Sequence, residues 1–224
     1  MTEGGDTLVV AVDGPSGSGK SSTARGVAQR LGLAYLDTGA MYRAITWALL
    51  EGGVHVDDPA AVAAAAGRVV LDVGTDPGAP TIQANGVDVS EPIRGPHVTA
   101  AVSAVSAVPA VRELLVSAQR TLIAGSDGIV VEGRDIASVV APDAAVKVYL
   151  VADADARASR RTAEQGGNAD EVSRTLADLE RRDALDSSRT ASPLRRADGA
   201  QIVDTTWLSL DDVVDQIVRL VKDR

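Results

Sequence analysis

Short, continuous apolar runs alternate with helical patterns along most of the chain. The first run, residues 8–12 (LVVAV), is typical of a strand buried on both faces. Similar runs occupy residues 128–131 and 145–151, and a shorter one occupies 201–203. Helical patterns lie between and after these runs, an order typical of a parallel sheet with right-handed crossovers. The pattern therefore predicts an α/β fold in which helices flank a parallel sheet.

Helix-terminating and helix-starting residues set the limits of several predicted helices. A helix is predicted over residues 20–31, because Gly32 stands at the usual C-terminal position. A second begins at Pro109, a good first helical residue, and runs through Ile123. The last helix starts after Ser209 in a capping-box pattern and carries an apolar stripe. Trp47 and Trp207 fall where packing into the core is expected.

The middle of the chain breaks this rhythm. A helix is predicted from Asp58-Pro59 to Gly67, and short strands are predicted at 69–73, 81–83 and 87–89. Asn85-Gly86 between the last two is a strong hairpin signal. The sequence therefore predicts a small antiparallel insert over residues 52–95. The core would then comprise residues 1–51, 96–152 and 190–224.

Arginine is concentrated in residues 153–189, which contain seven arginines and no lysine. The pattern there predicts two helices joined at Gln165-Gly166-Gly167-Asn168. A charge run of this kind can be an ordinary solvated helix face. In a chain of net charge −9, however, the clustering also suggests an anion-binding segment.

Composition narrows the function classes. The chain has 224 residues, 22 Lys+Arg and 31 Asp+Glu, and no cysteine, which excludes disulfides, thiolate metal sites and cysteine nucleophiles. The acidic balance and the few aromatic residues argue against a nucleic-acid partner. No apolar run approaches the roughly 18–20 residues of a membrane span, and residues 1–6 carry two acids and no base. We therefore expect a cytoplasmic protein with no membrane partner.

A phosphate-binding loop follows the first predicted strand. Residues 14–21 satisfy G-x-x-x-x-G-K-[ST] and open the first predicted helix. In this context backbone N–H groups approach phosphate oxygens, and the helix N-terminus adds its dipole. Lys20 is expected on the β- and γ-phosphates, and the Ser21 hydroxyl is expected in the Mg²⁺ shell. The predicted ATP-binding residues here are Gly14, Pro15, Ser16, Gly17, Ser18, Gly19, Lys20, Ser21 and Ser22.

Several classes of protein with such a loop are excluded by missing strings. The N-K-x-D and D-x-x-G strings of regulatory GTPases are absent, as is an L-S-G-G-Q-like transporter signature. A small phosphotransferase that binds an acceptor beside ATP remains. Such an enzyme needs cations at the moving phosphoryl group and a lid that excludes water, and the arginine-rich segment could supply both.

Four further strings, in order, resemble the bacterial type of cytidylate kinase, a family of nucleoside monophosphate kinases. They are residues 36–43 (LDTGAMYR), 103–113 (SAVSAVPAVRE), 132–136 (EGRDI) and 182–189 (RDALDSSR). The resemblance implies a five-stranded parallel P-loop sheet, an acceptor-binding antiparallel insert and an arginine-rich helical lid over 153–189. It implies a monomer that transfers phosphate from ATP, with Mg²⁺, to CMP or dCMP in pyrimidine metabolism.

The resemblance also assigns roles to individual residues. The lid residues expected at the ATP phosphates are Arg157, Arg160 and Arg161. The residues expected at CMP are Thr38, Tyr42, Arg43, Ser103, Arg112, Arg134, Asp135, Arg182, Asp186 and Arg189. The residues expected to act in catalysis are Lys20, Arg134, Arg161 and Arg189. Glu132 stands where some relatives have Asp and is given no role, while Asp13 and Asp37 are candidates for water-mediated contact with Mg²⁺.

Two alternatives remain. One is a kinase for another small acceptor such as UMP, dTMP or shikimate, although the D-R-[YH] string of thymidylate kinases is absent. The other is a scaffold that senses ATP without catalysis. Arginines on both the lid and the acceptor side argue against a sensor, because a sensor needs no second anion site.

Overall fold

The computed structural model describes residues 7–164 and 166–224, which form eight strands and eight α-helices. The expectation for residues 1–6 and Gln165 of the predicted helix junction fall outside the described residues. The strands are β1 (Leu8–Asp13), β2 (Ala34–Asp37), β3 (Leu71–Val73), β4 (Ile82–Ala84), β5 (Val87–Asp88), β6 (Gly128–Gly133), β7 (Val146–Val151) and β8 (Gln201–Asp204). The helices are α1 (Lys20–Leu31), α2 (Thr38–Glu51), α3 (Pro59–Ala66), α4 (Pro96–Ala107), α5 (Pro109–Ala124), α6 (Ala154–Glu164), α7 (Val172–Ser188) and α8 (Leu210–Lys222).

The main sheet is five-stranded, in the order β2-β6-β1-β7-β8, and every pairing in it is parallel. This confirms the predicted fold class. Alternate residues of β1 enter different cores, because successive side chains point to opposite faces of a strand. Val9 and Ala11 belong to one apolar core with residues of α2 and α5. Val10 and Val12 belong to the other, with residues of α1 and α8.

The second sheet has three antiparallel strands in the order β3-β4-β5, as the pattern predicted. Asn85 and Gly86 connect β4 to β5 with φ values of 53° and 77°, both in the left-handed region that this type of tight hairpin turn requires. Ile82 and Ala84 of β4 are buried in the same core as Ile45 of α2. The small sheet is therefore anchored to the main body through α2.

Helices α6 and α7 contain the arginine-rich segment. A 3₁₀ turn over Ala169–Glu171 precedes α7, and Asn168 and Glu171 form a capping box there. Two helices were predicted in this segment, and two are present. Between β6 and β7, residues Ile136–Val140 form one π-helical turn directly after the EGRD string.

Two expectations from the pattern were wrong or incomplete. Trp207 is 91% exposed rather than packed, because it lies in the loop between β8 and α8 and not on a helix. Trp47 packs against the core as expected. Strand β2 was not predicted, because only four residues separate the turn after α1 from the start of α2.

Among the described residues, no single helix has the length and apolar composition needed to cross a membrane. Helices α4 and α5 meet that test only when they are taken together, and they are bent by 95° relative to each other.

Candidate active site

The carboxyl ends of the parallel strands meet at one edge of the sheet, where a deep cleft opens. Strands β1, β2 and β6 end at Asp13, Asp37 and Gly133, and the residues after them form one rim. The cleft has a volume of about 750 Å³. Ligands of open α/β sheets bind at this edge. The cleft thus lies where the fold itself predicts a binding site.

The phosphate loop connects β1 to α1 along this rim. Gly17 has φ of 74°, and a Cβ atom there would lie only 2.9 Å from the carbonyl oxygen of Arg157 in α6. Glycine is therefore required both by the backbone and by the close approach of α6. Lys20 is buried, and its Nζ donates to the Pro15 carbonyl oxygen at 2.7 Å. Burial, together with nearby Arg134, lowers the pKa of Lys20, so the charged ammonium is disfavoured while no anion is bound. An anionic partner beside Lys20 would stabilise that charge.

Oxygen groups that suit Mg²⁺ lie beside the loop. Ser21 lines the cleft, and the carboxylates of Asp37 and Glu132 line it too. Glu132 is 3% exposed and accepts a hydrogen bond from the Tyr35 hydroxyl at 2.5 Å. Burial and the neighbouring Asp37 raise the pKa of Glu132. A hydroxyl and carboxylates are hard ligands, and Mg²⁺ otherwise keeps water and substrate phosphates, so this donor set fits the ion.

Asp13, the other candidate for contact with Mg²⁺, has a different role. Its two carboxylate oxygens accept the backbone N–H groups of Ile136 and Ala137, each at 2.8 Å. Burial raises the pKa of Asp13 to about 6. Because both oxygens are engaged with the turn after β6, Asp13 holds that turn against β1, whereas Asp37 faces the cleft.

Several guanidinium groups line the same cleft. Arg43 donates to the Ile93 carbonyl oxygen and to Thr99 Oγ1, both at 3.0 Å. Burial and the proximity of Arg182 lower the pKa of Arg43 to about 9. Burial and Arg134 lower the pKa of Arg182 to about 10. At neutral pH both guanidinium groups remain charged and repel each other. An anion that binds between them would relieve this repulsion.

Arg134 connects this cluster to the phosphate loop. Its Nη2 donates to Ser16 Oγ at 2.7 Å, and its Nε donates to Asp186 Oδ2 of α7 at 3.1 Å. Thr38 Oγ1 donates to the Glu132 carbonyl oxygen at 2.7 Å at the start of α2. Arg134 therefore connects the phosphate loop to α7.

A buried ion pair also lines the cleft. Arg112 of α5 pairs with Asp135 through Nη2, and their side chains are 5% and 6% exposed. The guanidinium carbon of Arg112 lies 5.3 Å from the ring centroid of Tyr42, a cation–π contact. Arg112 Nε is buried and has no hydrogen-bond partner among the described residues. Arg112 thus has a donor left to offer a ligand in a pocket that Ser103 also lines.

Most of the predicted site residues line this one cleft. From the loop and lid they are Ser16, Gly17, Gly19, Lys20, Ser21, Ser22 and Arg161. All of the predicted acceptor residues line it: Thr38, Tyr42, Arg43, Ser103, Arg112, Arg134, Asp135, Arg182, Asp186 and Arg189. These residues are distant in sequence, so their convergence is a property of the fold.

The other predicted residues do not line the cleft. They are Gly14, Pro15, Ser18, Arg157 and Arg160. Arg160 turns away and donates to Thr205 Oγ1 at 3.0 Å and to the Thr206 carbonyl oxygen at 3.2 Å. It therefore connects α6 to the loop after β8. Arg157 donates to the Ser16 carbonyl oxygen at 2.9 Å and pairs with Asp183 of α7.

The sequence analysis gave no role to some residues that the structure brings to the site. Glu132 lines the cleft beside Ser21, and Arg25 of α1 lines it as well. Ser106 accepts from Arg112 through its carbonyl oxygen at 3.2 Å and from Arg189 through Oγ at 3.3 Å. The position of Glu132 at the end of a buried strand was a usable signal, and Ser106 lies within the string 103–113, whereas nothing in the local sequence marks Arg25.

A phosphate loop at a helix N-terminus and a cluster of buried arginines line one cleft, an arrangement typical of P-loop phosphotransferases. The sequence model of the family described as "Cytidylate kinase" matches residues 10–223. The chain belongs to the cytidylate kinase family.

Individual proteins agree with this assignment. The chain is 56% identical over 219 residues to a cytidylate kinase of Rhodococcus jostii (strain RHA1), covering 97% of this chain and 96% of that protein. It is 56% identical over 216 residues to a cytidylate kinase of Nocardia farcinica (strain IFM 10152), covering 96% and 93%. Among solved structures, a gluconokinase from Sinorhizobium meliloti 1021 is similar at 14% identity, with a TM-score of 0.50 and coverage of 97% and 92%. That last similarity concerns the fold alone.

Proposed function

We propose that this chain transfers the γ-phosphoryl group of ATP to CMP or dCMP, producing ADP and CDP or dCDP in pyrimidine nucleotide metabolism. The observation that carries the proposal is one cleft that contains both a phosphate loop and the Arg112–Asp135 pocket. Membership of the cytidylate kinase family supports it. The phosphate loop would bind the donor, and the arginine cluster would bind the acceptor phosphate.

Positioning and charge neutralisation account for the proposed catalysis. An acceptor phosphate is largely ionised near neutral pH, since its second pKa is about 6, so no strong general base is needed. Lys20 and Arg161 would neutralise the donor end, and Arg43, Arg182 and Arg189 would hold the acceptor. Arg134, bonded to Ser16 at 2.7 Å, would stabilise the group in transit. The remaining loop residues, together with Arg157 beside the loop, would hold the rest of ATP, whereas Arg160 is bonded to Thr205 and Thr206.

Mg²⁺ is the proposed cofactor. When bound, it would offset charge on the β- and γ-phosphates. Ser21 would supply a direct ligand, while Asp37 and Glu132 would accept hydrogen bonds from its water ligands. Their place around Ser21 in the cleft supports this assignment.

Base selection follows from the polarity of the pocket. Cytosine offers an exocyclic amine that donates, and a ring nitrogen and carbonyl that accept. The Asp135 carboxylate can accept from the amine, while Arg112 and Ser103 can donate. Uracil reverses the first two groups and would leave these side chains unpaired, which is the kind of mismatch that gives strong discrimination.

We also propose the boundaries and partners predicted from the sequence. Residues 52–95 would form the acceptor-binding insert and 153–189 the lid. Glu91, Ile93 and Arg94 at the cleft support the first boundary, and Arg161 and Arg182 support the second. The protein would act as a cytoplasmic monomer without nucleic-acid or membrane partners.

An ADP-release assay with separate acceptors tests the proposal. CMP and dCMP should be phosphorylated, and UMP, dTMP and AMP should be poor acceptors. A preference for UMP or dTMP would support the alternative of another acceptor kinase. ATP binding without turnover on any acceptor would support the ATP-sensing scaffold instead.

Substitution of Arg134 tests the proposed chemistry. Arg134→Ala should lower kcat/KM for CMP by about 100-fold or more, because it removes a charged group in contact with both the loop and α7. Arg68, on the surface between α3 and β3, provides a matched control as Arg68→Ala. Activity of Arg134→Ala within about twofold of the parent would contradict this role.

A further inference from the structure

One carboxylate connects three parts of the molecule that the proposed mechanism treats separately. Asp183 of α7 accepts the backbone N–H of Ser16 in the phosphate loop through Oδ1 at 2.9 Å. Its other oxygen pairs with Arg157 of α6. Arg157 in turn donates to the Ser16 carbonyl oxygen at 2.9 Å. Asp183, Arg157 and Ser16 thus form a closed three-membered network, called here the lid–loop clasp.

The clasp is unlike an ordinary surface ion pair. The side chains of Arg157 and Asp183 are 11% and 16% exposed, whereas the pair Arg181–Asp178 on the same helix is 53% and 62% exposed. Exposed pairs contribute little, but a shielded charge that loses its partner is costly. A carboxylate beside a loop built to bind phosphate also has an evident cost, since it repels the triphosphate. A compensating role is therefore expected.

Packing around the clasp fixes the position of Arg157. The Arg157 carbonyl oxygen lies so near the loop that a Cβ atom at Gly17 would be 2.9 Å from it. Arg157 Nε is buried and has no hydrogen-bond partner among the described residues. The rest of the guanidinium is held by Asp183 and Ser16, so that unused donor is held in a set direction beside the loop.

The same carboxylate also fixes α7 against the loop. Arg182, next to Asp183 in the chain, lines the cleft, and Asp186 one turn later accepts from Arg134. Because Asp183 is bonded to a backbone N–H of the loop, this end of α7 cannot shift without breaking that bond. The bond therefore fixes the position of the cationic side chains of the lid relative to the phosphate loop.

We propose that Asp183 is a positioning residue: through the clasp it holds Arg157 and α7 against the phosphate loop in the arrangement that binds the donor triphosphate. The inference rests on the proposed function in taking that loop as the ATP site. Asp183 acts through Arg157 and Ser16 and does not itself contact ATP.

Calorimetric titration with Mg²⁺-ATP, in the absence of acceptor, tests this role. Asp183→Asn keeps an oxygen that can accept from Ser16 but loses the charged pair with Arg157. We expect Kd for ATP to rise about 10-fold or more, as for the loss of a charge-assisted hydrogen bond. Asp178→Asn, which removes an exposed acid from the same helix, should stay within about twofold.

A double-mutant cycle separates positioning from a general structural effect. In an Arg157→Ala background, Asp183→Asn should weaken ATP binding by no more than about twofold further, because the charged pair that it removes is already lost while the acceptor for Ser16 is kept. Thermal unfolding of each variant identifies any loss that comes from misfolding. In turnover, the KM for ATP of Asp183→Asn should rise much more than kcat falls.

The possible outcomes are distinct. Unchanged or tighter ATP binding by Asp183→Asn would overturn the inference, since the carboxylate would then only repel the nucleotide. Fully additive losses in the cycle would overturn it as well. If the parent chain itself bound no ATP, the proposed function would fail instead. If the parent bound ATP but phosphorylated no cytidine nucleotide, only the acceptor assignment would fail.

Discussion

At the scale of single residues, the site places charged groups where burial disfavours their charge. Glu132 and Lys20 are both buried at the end of the sheet that opens on the cleft. Burial raises the pKa of the first and lowers the pKa of the second, so each is less stable as an ion than it would be in water. Such groups cost folding free energy and are retained where charge serves a ligand.

Glu132→Gln should therefore stabilise the fold while impairing activity. Because the pKa of Glu132 is raised, the folded chain retains a proton that the unfolded chain releases, and the ionised form costs stability above that pKa. The variant should gain about 1–3 kcal/mol in free energy of unfolding at pH 8 and much less at pH 5. Denaturant unfolding at the two pH values measures this gain. A gain equal at both values would contradict the argument.

Asp135→Asn tests base selection at a single atom group. The amide presents an N–H₂ group where the carboxylate can only accept, so the pocket loses part of its preference for the cytosine amine. We expect kcat/KM for CMP to fall about 100-fold, and the ratio of CMP to UMP activity to fall with it. Steady-state assays with both nucleotides measure the change. An unchanged ratio of CMP to UMP activity would show that residues other than Asp135 select the base.

At the scale of elements, local signals predicted helix ends and turns well. The capping box at Ser209, the Asp58 cap before Pro59 and the Asn85-Gly86 turn are all present, because each depends on a few neighbouring residues. Strand β2 lacked such a signal, since a four-residue strand is defined by its pairing with β6. The exposed Trp207 was predicted wrongly because the helix begins three residues later, at Leu210.

The close approach of β6 to α2 provides a test at this scale. A Cβ atom at Gly133 would lie 2.7 Å from Thr38 Oγ1 and 2.6 Å from Ile136 Cδ1. Gly133→Ala should thus displace Thr38 from its bond to the Glu132 carbonyl and raise KM for CMP by about 10-fold or more. Gly67→Ala, with no atom within 4 Å of its added Cβ, is the matched control. Equal KM values for both variants would contradict the predicted displacement.

At the scale of the whole molecule, the chain is acidic overall but its cleft is lined mainly by basic side chains. The chain carries −9 overall. The described lining of the cleft nevertheless contains eight arginines and one lysine, against six acidic residues. The sequence showed the arginine-rich segment and the motifs, but it could not show that Arg43, Arg112 and Arg189 line one cleft. That convergence depends on α2, α5 and α7 packing around the same sheet edge.

This distribution predicts that salt has opposite effects on folding and on substrate binding. Screening weakens repulsion among the excess acids, so raising NaCl from about 0.05 to 0.3 M should raise the Tm. The same screening weakens attraction between the cationic cleft and nucleotides, so KM for both ATP and CMP should rise severalfold. Thermal unfolding and steady-state kinetics across one salt series measure both quantities. Loss of structure would raise KM but would lower Tm. A rise of both KM and Tm with salt would therefore attribute the weaker binding to screening of the positive charge of the cleft. A KM that does not change with salt would contradict this prediction.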